Sequence, residues 1–136
     1  MFHDYDRVIP VVFVANQKRY TPQMQRPVLP TLRVRFFQSG FGDEPVRDWL
    51  KSLPAHERRL IGDDIKTVQF RWPLGMPLVR KLAANVWEVR TNLPTRIARV
   101  LFTVKADQLV LLHGFIKKTQ ATPPAELKLA QKRIDF

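Results

Sequence analysis

The stretch between residues 86 and 116 leaves this chain little topological freedom. Three segments there read as strands: residues 86–91, with Trp87 and Val89 on one face, residues 96–104, and residues 108–116. The turn Asn92-Leu93-Pro94-Thr95 joins the first two, and Lys105-Ala106-Asp107 joins the last two. A parallel pair needs a crossover of a dozen or more residues, so connections this short force an antiparallel meander. The third segment is a nearly continuous apolar run, which places it inside the sheet rather than at an edge.

The elements around the meander follow from local signals. Leu32-Arg33-Val34-Arg35-Phe36 alternates apolar and charged residues, as a half-buried strand does. Gly40 and Gly42 mark a turn, and Asp43 is placed to cap a helix whose first turn holds Glu44 and Pro45. Val46, Trp49, Leu50 and Leu53 recur at helical spacing. Pro54 ends that helix and starts a second, with Leu60, Ile61, Ile65 and Val68 as its apolar stripe. Two such short helices are expected to form a hairpin, since neither persists alone. Residues 71–77, with two prolines and a glycine, read as a loop. At the far end Thr122 is placed to cap a helix with Pro123 in its first turn and Glu126 beyond. Leu127, Ala130 and Ile134 point inward in that helix, and Lys128, Lys132 and Arg133 outward.

The expected order is β-α-α-β-β-β-α, an α+β class with a twisted, mostly antiparallel sheet. Residues 31–136 form the expected domain. Residues 1–30 differ: Pro10, Pro22, Pro27 and Pro30 interrupt them and no period persists, so an irregular arm is expected. A chain of 136 residues suits one domain and can bury a core without covalent staples. It has no cysteine, which excludes disulfides and thiolate metal sites. No run approaches the roughly 20 apolar residues that span a bilayer. The opening residues do not read as a signal peptide, so a cytoplasmic protein is expected.

Charge narrows the function. The formal net charge is +11, and residues 71–136 hold 12 basic and 4 acidic side chains of it, net +8. A field of that sign concentrates a polyanion through phosphate attraction and counterion release. Lys81 (with Arg80 beside it), Arg90, Arg99, Lys117 and Lys118 come from the loop and all three strands of the meander. Adjacent strands lie about 4.8 Å apart, so one face or end of the sheet could gather them for a phosphodiester backbone. Each also has a structural reading. Arg99 could pair with a carboxylate, Arg90 lies two residues from Glu88 on the same strand face, and Lys117 and Lys118 could be a solvated strand end. His113 could serve as acid or base, but between Leu112 and Gly114 it reads more readily as a hydrogen-bonded core histidine. Trp49 and Trp87 fit a core, while Trp72 and Phe115 are candidates for stacking on a base or for packing.

Several pieces carry a resemblance: Pro45-Val-Arg-Asp-Trp-Leu50, Trp87-Glu-Val-Arg90, Arg96-Ile-Ala-Arg99-Val-Leu-Phe, and His113-Gly-Phe-Ile-Lys-Lys-Thr-Gln-Ala-Thr-Pro-Pro with Ala130 and Arg133 behind it. Over about residues 31–136 the chain resembles the RelE/ParE toxin superfamily, in particular its HigB-like, phage-derived branch. That resemblance implies a RelE-like fold and a ribosome-dependent endoribonuclease that cuts mRNA. It also implies silencing by a cognate helix-turn-helix (HigA-like) antitoxin. The implied chemistry is attack of a ribose 2′-OH on the adjacent phosphate, with no metal and no cofactor. Carried over by position, Arg99 and Lys118 would act on the scissile phosphate, with Lys117 beside Lys118 able to substitute for it, and Arg80, Lys81 and Arg90 would position the RNA. The pattern is broken at Leu127, where some relatives place a tyrosine, and at Glu88, where some place a lysine used as base. General acid and base therefore stay unassigned. Alternatives are a toxin of the same fold directed at a protein such as gyrase, and an inactive relative. Arg99→Ala, or Lys117→Ala with Lys118→Ala, is expected to abolish growth arrest without unfolding the chain.

Overall fold

A computed structural model describes residues 31–117 and 121–134. The expected arm at residues 1–30 and the expected phosphate-binding Lys118 lie outside them. The elements are β1 (Arg33–Phe36), α1 (Pro45–Lys51), α2 (Ala55–Arg71), β2 (Val79–Ala83), β3 (Val86–Asn92), β4 (Ile97–Lys105), β5 (Gln108–Lys117) and α3 (Pro124–Ile134). The fold is α+β, as the pattern predicts, and compatible with a RelE-like fold. One strand is added to the expected order. β2 falls where the sequence reads as the end of a loop. Its hairpin to β3 turns at Asn85 with φ of 62°. Asparagine tolerates that left-handed backbone, but Ala84-Asn85 lacks the Asn-Gly or Asp-Gly signature that marks a tight hairpin.

The sheet order is β1-β5-β4-β3-β2. β2, β3, β4 and β5 pair antiparallel in sequence, which is the expected meander with β2 as its outer strand. β1 closes the other side parallel to β5, with Val34 opposite Leu109 and Phe36 opposite Leu111. β5 is therefore flanked on both sides, which explains its apolar run.

Two layers cover the sheet. The α1–α2 side packs Val46, Leu50, Ile61, Ile65 and Val68 against Val34, Phe36, Val89, Val100, Phe102 and Leu111. Fully burying each such side chain contributes about 1.5–3 kcal/mol. Leu60, expected in the stripe, is exposed instead. Ile61, Ile65 and Val68 recur at i, i+4 and i+7 and share one face, and Leu60 lies about 100° round the helix from Ile61. Trp49 of α1 lies directly on β5. A Cβ at Gly114 would meet the Trp49 ring at 2.4 Å, so glycine is required for this approach.

The second layer is α3, which packs Ala130, Leu127 and Ile134 over Phe37, Val86, Leu101, Leu112 and Phe115. Arg133, expected to face outward, turns inward. Its guanidinium donates to the Leu112 carbonyl at 2.7 Å and lies over the Phe37 ring. The capping residues also differ from expectation. Glu44, not Asp43, occupies the cap position of α1, and Asp43 closes a turn through its backbone with Ser39. Thr122 directs its hydroxyl to Glu88 on the sheet rather than to the first turn of α3.

Candidate phosphate-binding face

Side chains alternate across a sheet, so register decides which of the predicted cations meet. Trp87 and Val89 face the helical hairpin, so Glu88 and Arg90 of the same strand face α3. Arg80 is opposite Glu88, and Arg90 is opposite Arg99. Arg99 is opposite Phe115, and Lys117 lies two residues further along β5, opposite Ile97. Arg80, Arg90, Arg99 and Lys117 therefore share one face, drawn from four consecutive strands, with Glu88 among them.

The centre of this face is buried. Arg99 and Glu88 are 1% and 0% exposed, and Arg99 Nη1 donates to Glu88 Oε2 at 2.6 Å. The sequence allowed Arg99 such a pairing and offered Arg90 as the neighbour of Glu88. Glu88 is opposite Leu101, and Arg99, two residues away along β4, reaches it as the diagonal partner. The second carboxylate oxygen, Glu88 Oε1, accepts from the Thr122 hydroxyl at 2.6 Å. Lys117 Nζ in turn approaches Thr122 Oγ1 at 3.5 Å. Burial lowers the pKa of Lys117, and the nearby Arg99, Arg80 and Arg90 charges lower it further, while Glu88 opposes them. Among the described residues, Arg80, Arg90 and Arg99 thus stand near Lys117, with the Glu88 carboxylate between them.

Arg80 and Arg90 differ from the central pair. Arg80 is exposed and Arg90 half-buried, so both can reach a ligand in solvent. Lys81 does not join them. It is opposite Trp87 and lies over that indole ring at 5.7 Å, on the hairpin side of the sheet. The loop reading of this segment hid the alternation that separates Arg80 from Lys81.

His113 faces α3 but is displaced from the cluster. It lies four residues before Lys117, about 13 Å along the strand. Its Nε2 is 2.9 Å from Glu126 Oε1, and its ring stacks on Phe115. These contacts match the hydrogen-bonded reading of this histidine. The two stacking candidates are also packed: Phe115 is buried, and Trp72 meets Trp87 and Phe102 edge-on at 5.0 and 5.6 Å. Thr122 is the residue that sequence reading missed. A threonine before Pro-Pro reads as a helix cap, and nothing local announces a contact with a strand 34 residues away.

Comparison with known families agrees with the strand motifs. The model of the family described as phage-derived protein Gp49-like matches residues 48–135, more than half of the chain. The chain belongs to the phage-derived Gp49-like family. The family is RelE/toxin-like, and the match runs from α1 through α3, so it takes in every residue of the cationic face. No curated protein matches this Gp49-like chain. No helix among its described residues is long and apolar enough to cross a membrane.

Proposed function

We propose that this Gp49-like protein is the toxin of a type II toxin–antitoxin pair and acts as a HigB-like, ribosome-dependent mRNA endonuclease. The observation that carries the reading is the gathering of Arg80, Arg90, Arg99 and Lys117 on one sheet face from four adjacent strands. A single-stranded RNA backbone presents a phosphate at every nucleotide; the exposed Arg80 and half-buried Arg90 can meet it, with Lys117 beside them and Arg99 beneath in its ion pair with Glu88. Membership in a toxin-like family supports the same reading.

In the proposed reaction the ribose 2′ oxygen attacks the adjacent phosphorus. The P–O5′ bond breaks, leaving a 2′,3′-cyclic phosphate and a 5′-hydroxyl. The 2′-OH loses a proton and the leaving O5′ gains one. Negative charge grows on the non-bridging oxygens, where fixed cations stabilise it more than in the ground state. Lys117 is suited to that charge, and its lowered pKa makes its ammonium a readier proton donor than an ordinary lysine. Arg99 supplies a positive charge from beneath, held by Glu88. Arg80 and Arg90 hold the flanking backbone, and Lys118 adjoins Lys117 in the chain. The partners that follow are the ribosome with its mRNA and a helix-turn-helix antitoxin.

Induced expression followed by RNA 5′-end sequencing tests the proposal. Cuts within translated codons, absent in a Lys117→Gln variant that still folds, are expected. Intact mRNA together with DNA damage would overturn it in favour of a gyrase-directed toxin.

A further inference from the structure

Glu88, Thr122 and Lys117 form a chain of contacts whose direction is fixed by chemistry. Thr122 Oγ1 lies 2.6 Å from Glu88 Oε1, the distance of a charge-assisted O–H···O⁻ bond. A hydroxyl has one proton to donate. With that proton turned to the carboxylate, the hydroxyl lone pairs remain for Lys117, whose ammonium can donate but not accept. The other oxygen of Glu88 holds Arg99. One buried carboxylate thus sets both Arg99 directly and Lys117 through Thr122. It also ties the segment that leads into α3 to the centre of the sheet.

We propose that Thr122, oriented by Glu88, is a positioning residue that fixes the Lys117 ammonium on the phosphate-binding face. This rests on the reading of Lys117 as a group that meets the scissile phosphate. The Glu88 carboxylate makes the threonine hydroxyl a one-way acceptor. Without it the hydroxyl could turn its proton toward Lys117 and repel it. Arg80 and Arg90 grip RNA independently, so the pair governs turnover more than binding.

Among the described residues, the charged groups that act on Lys117 are Arg99 from β4, Glu88 and Arg90 from β3, and Arg80 from β2. On α3, Glu126 is directed to His113. Removing the Glu88 charge therefore takes away the influence that raises the pKa of Lys117 and leaves those that lower it.

The test uses the full chain with Glu88→Gln, Thr122→Val and Thr122→Ser. Thermal melts establish folding, and carbon NMR of the Lys117 side chain follows its titration. Turnover and RNA affinity are measured on ribosomes carrying a defined mRNA. Glu88→Gln is expected to move the Lys117 titration to lower pH. Thr122→Val is expected to cut kcat by about 10–100-fold, the scale of a misplacement near 1 Å, with RNA affinity within about threefold. Thr122→Ser, which keeps the hydroxyl, is expected to restore kcat. If Glu88→Gln does not fold, the Val and Ser variants decide alone. Wild-type kcat in Thr122→Val, or no rescue by Thr122→Ser, overturns the positioning role. If the titration moves as expected but the wild-type protein cleaves no mRNA, the nuclease reading fails, while the coupling of Glu88 to Lys117 stands.

Discussion

Glu88 and Arg99 form a buried ion pair across β3 and β4, with Arg99 Nη1 2.6 Å from Glu88 Oε2 and neither side chain reaching solvent appreciably. Removing one member of such a pair strands the other charge, which costs about 3–5 kcal/mol. Arg99→Ala is therefore expected to destabilise the fold by that amount in urea denaturation, contrary to the expectation from sequence that it leaves folding intact. Replacing both members with Glu88→Leu and Arg99→Met should retain more stability than either single truncation. If Arg99→Ala unfolds at the wild-type urea midpoint, the pair contributes little and the burial argument is wrong. Loss of toxicity in Arg99→Ala alone is consequently no measure of catalysis.

The contact between Gly114 and Trp49 gives a second prediction. A methyl group at Gly114 has no space beneath the Trp49 ring. Overpacking of this kind costs about 1–3 kcal/mol. Gly114→Ala is expected to lower the melting temperature, and Trp49→Leu in the same chain should recover part of the loss by opening the site. If the double variant is as unstable as the sum of the two singles, the clash is not the cause.

Much of this architecture is legible in the sequence, and the exceptions have physical reasons. Residues 86–116 announce their meander because short turns and alternation leave one solution. The helical hairpin is legible for the same reason, through its apolar spacing. β2 escapes because Val79–Ala83 is a short edge strand. Its pattern is broken by the register shift between Lys81 and Ala83. Without that strand Arg80 and Lys81 look like neighbours on one surface, whereas they stand on opposite faces. The cations of β3, β4 and β5 are legible as a group. Which of them Glu88 binds is not, because Arg90 and Arg99 are cross-strand partners and only packing decides between them. The Thr122 contact is wholly long-range, and a local capping rule misdirects it.

Acid should expose a further contact. Arg96 Nη2 lies 2.6 Å from Glu57 Oε1, joining the start of α2 to the β3–β4 turn region. The hydrogen bond from Arg96 is the leading influence and holds the Glu57 carboxyl below its ordinary value of 4.5. A carboxyl lowered in the folded state binds its proton more readily when unfolded. Its contribution to stability is thus complete above pH 4.5 and is lost as pH falls through the lower, folded value. Arg96→Gln should remove this part of the acid dependence, so stability of the variant falls less steeply below that pH. Parallel acid limbs in wild type and variant would refute the assignment.

The two faces of β2 yield the sharpest test of the RNA-binding surface. Arg80 stands with Arg90, Arg99 and Lys117 on the α3 side, and Lys81 stands over Trp87 on the other. Each phosphate contact with single-stranded nucleic acid contributes about 0.7 to the slope of log affinity against log salt. Arg80→Gln is expected to weaken binding of a single-stranded RNA and to reduce that slope by about 0.7. Lys81→Gln should leave the slope unchanged, although the two residues are adjacent in sequence. Both positions are exposed, so neither change should alter the unfolding free energy, measured in urea, by more than the ~0.5 kcal/mol typical of surface substitutions. Equal losses of slope in the two variants would mean that the RNA tracks along the sheet edge instead of the face beneath α3. An unchanged slope in Arg80→Gln would remove β2 from the interface altogether.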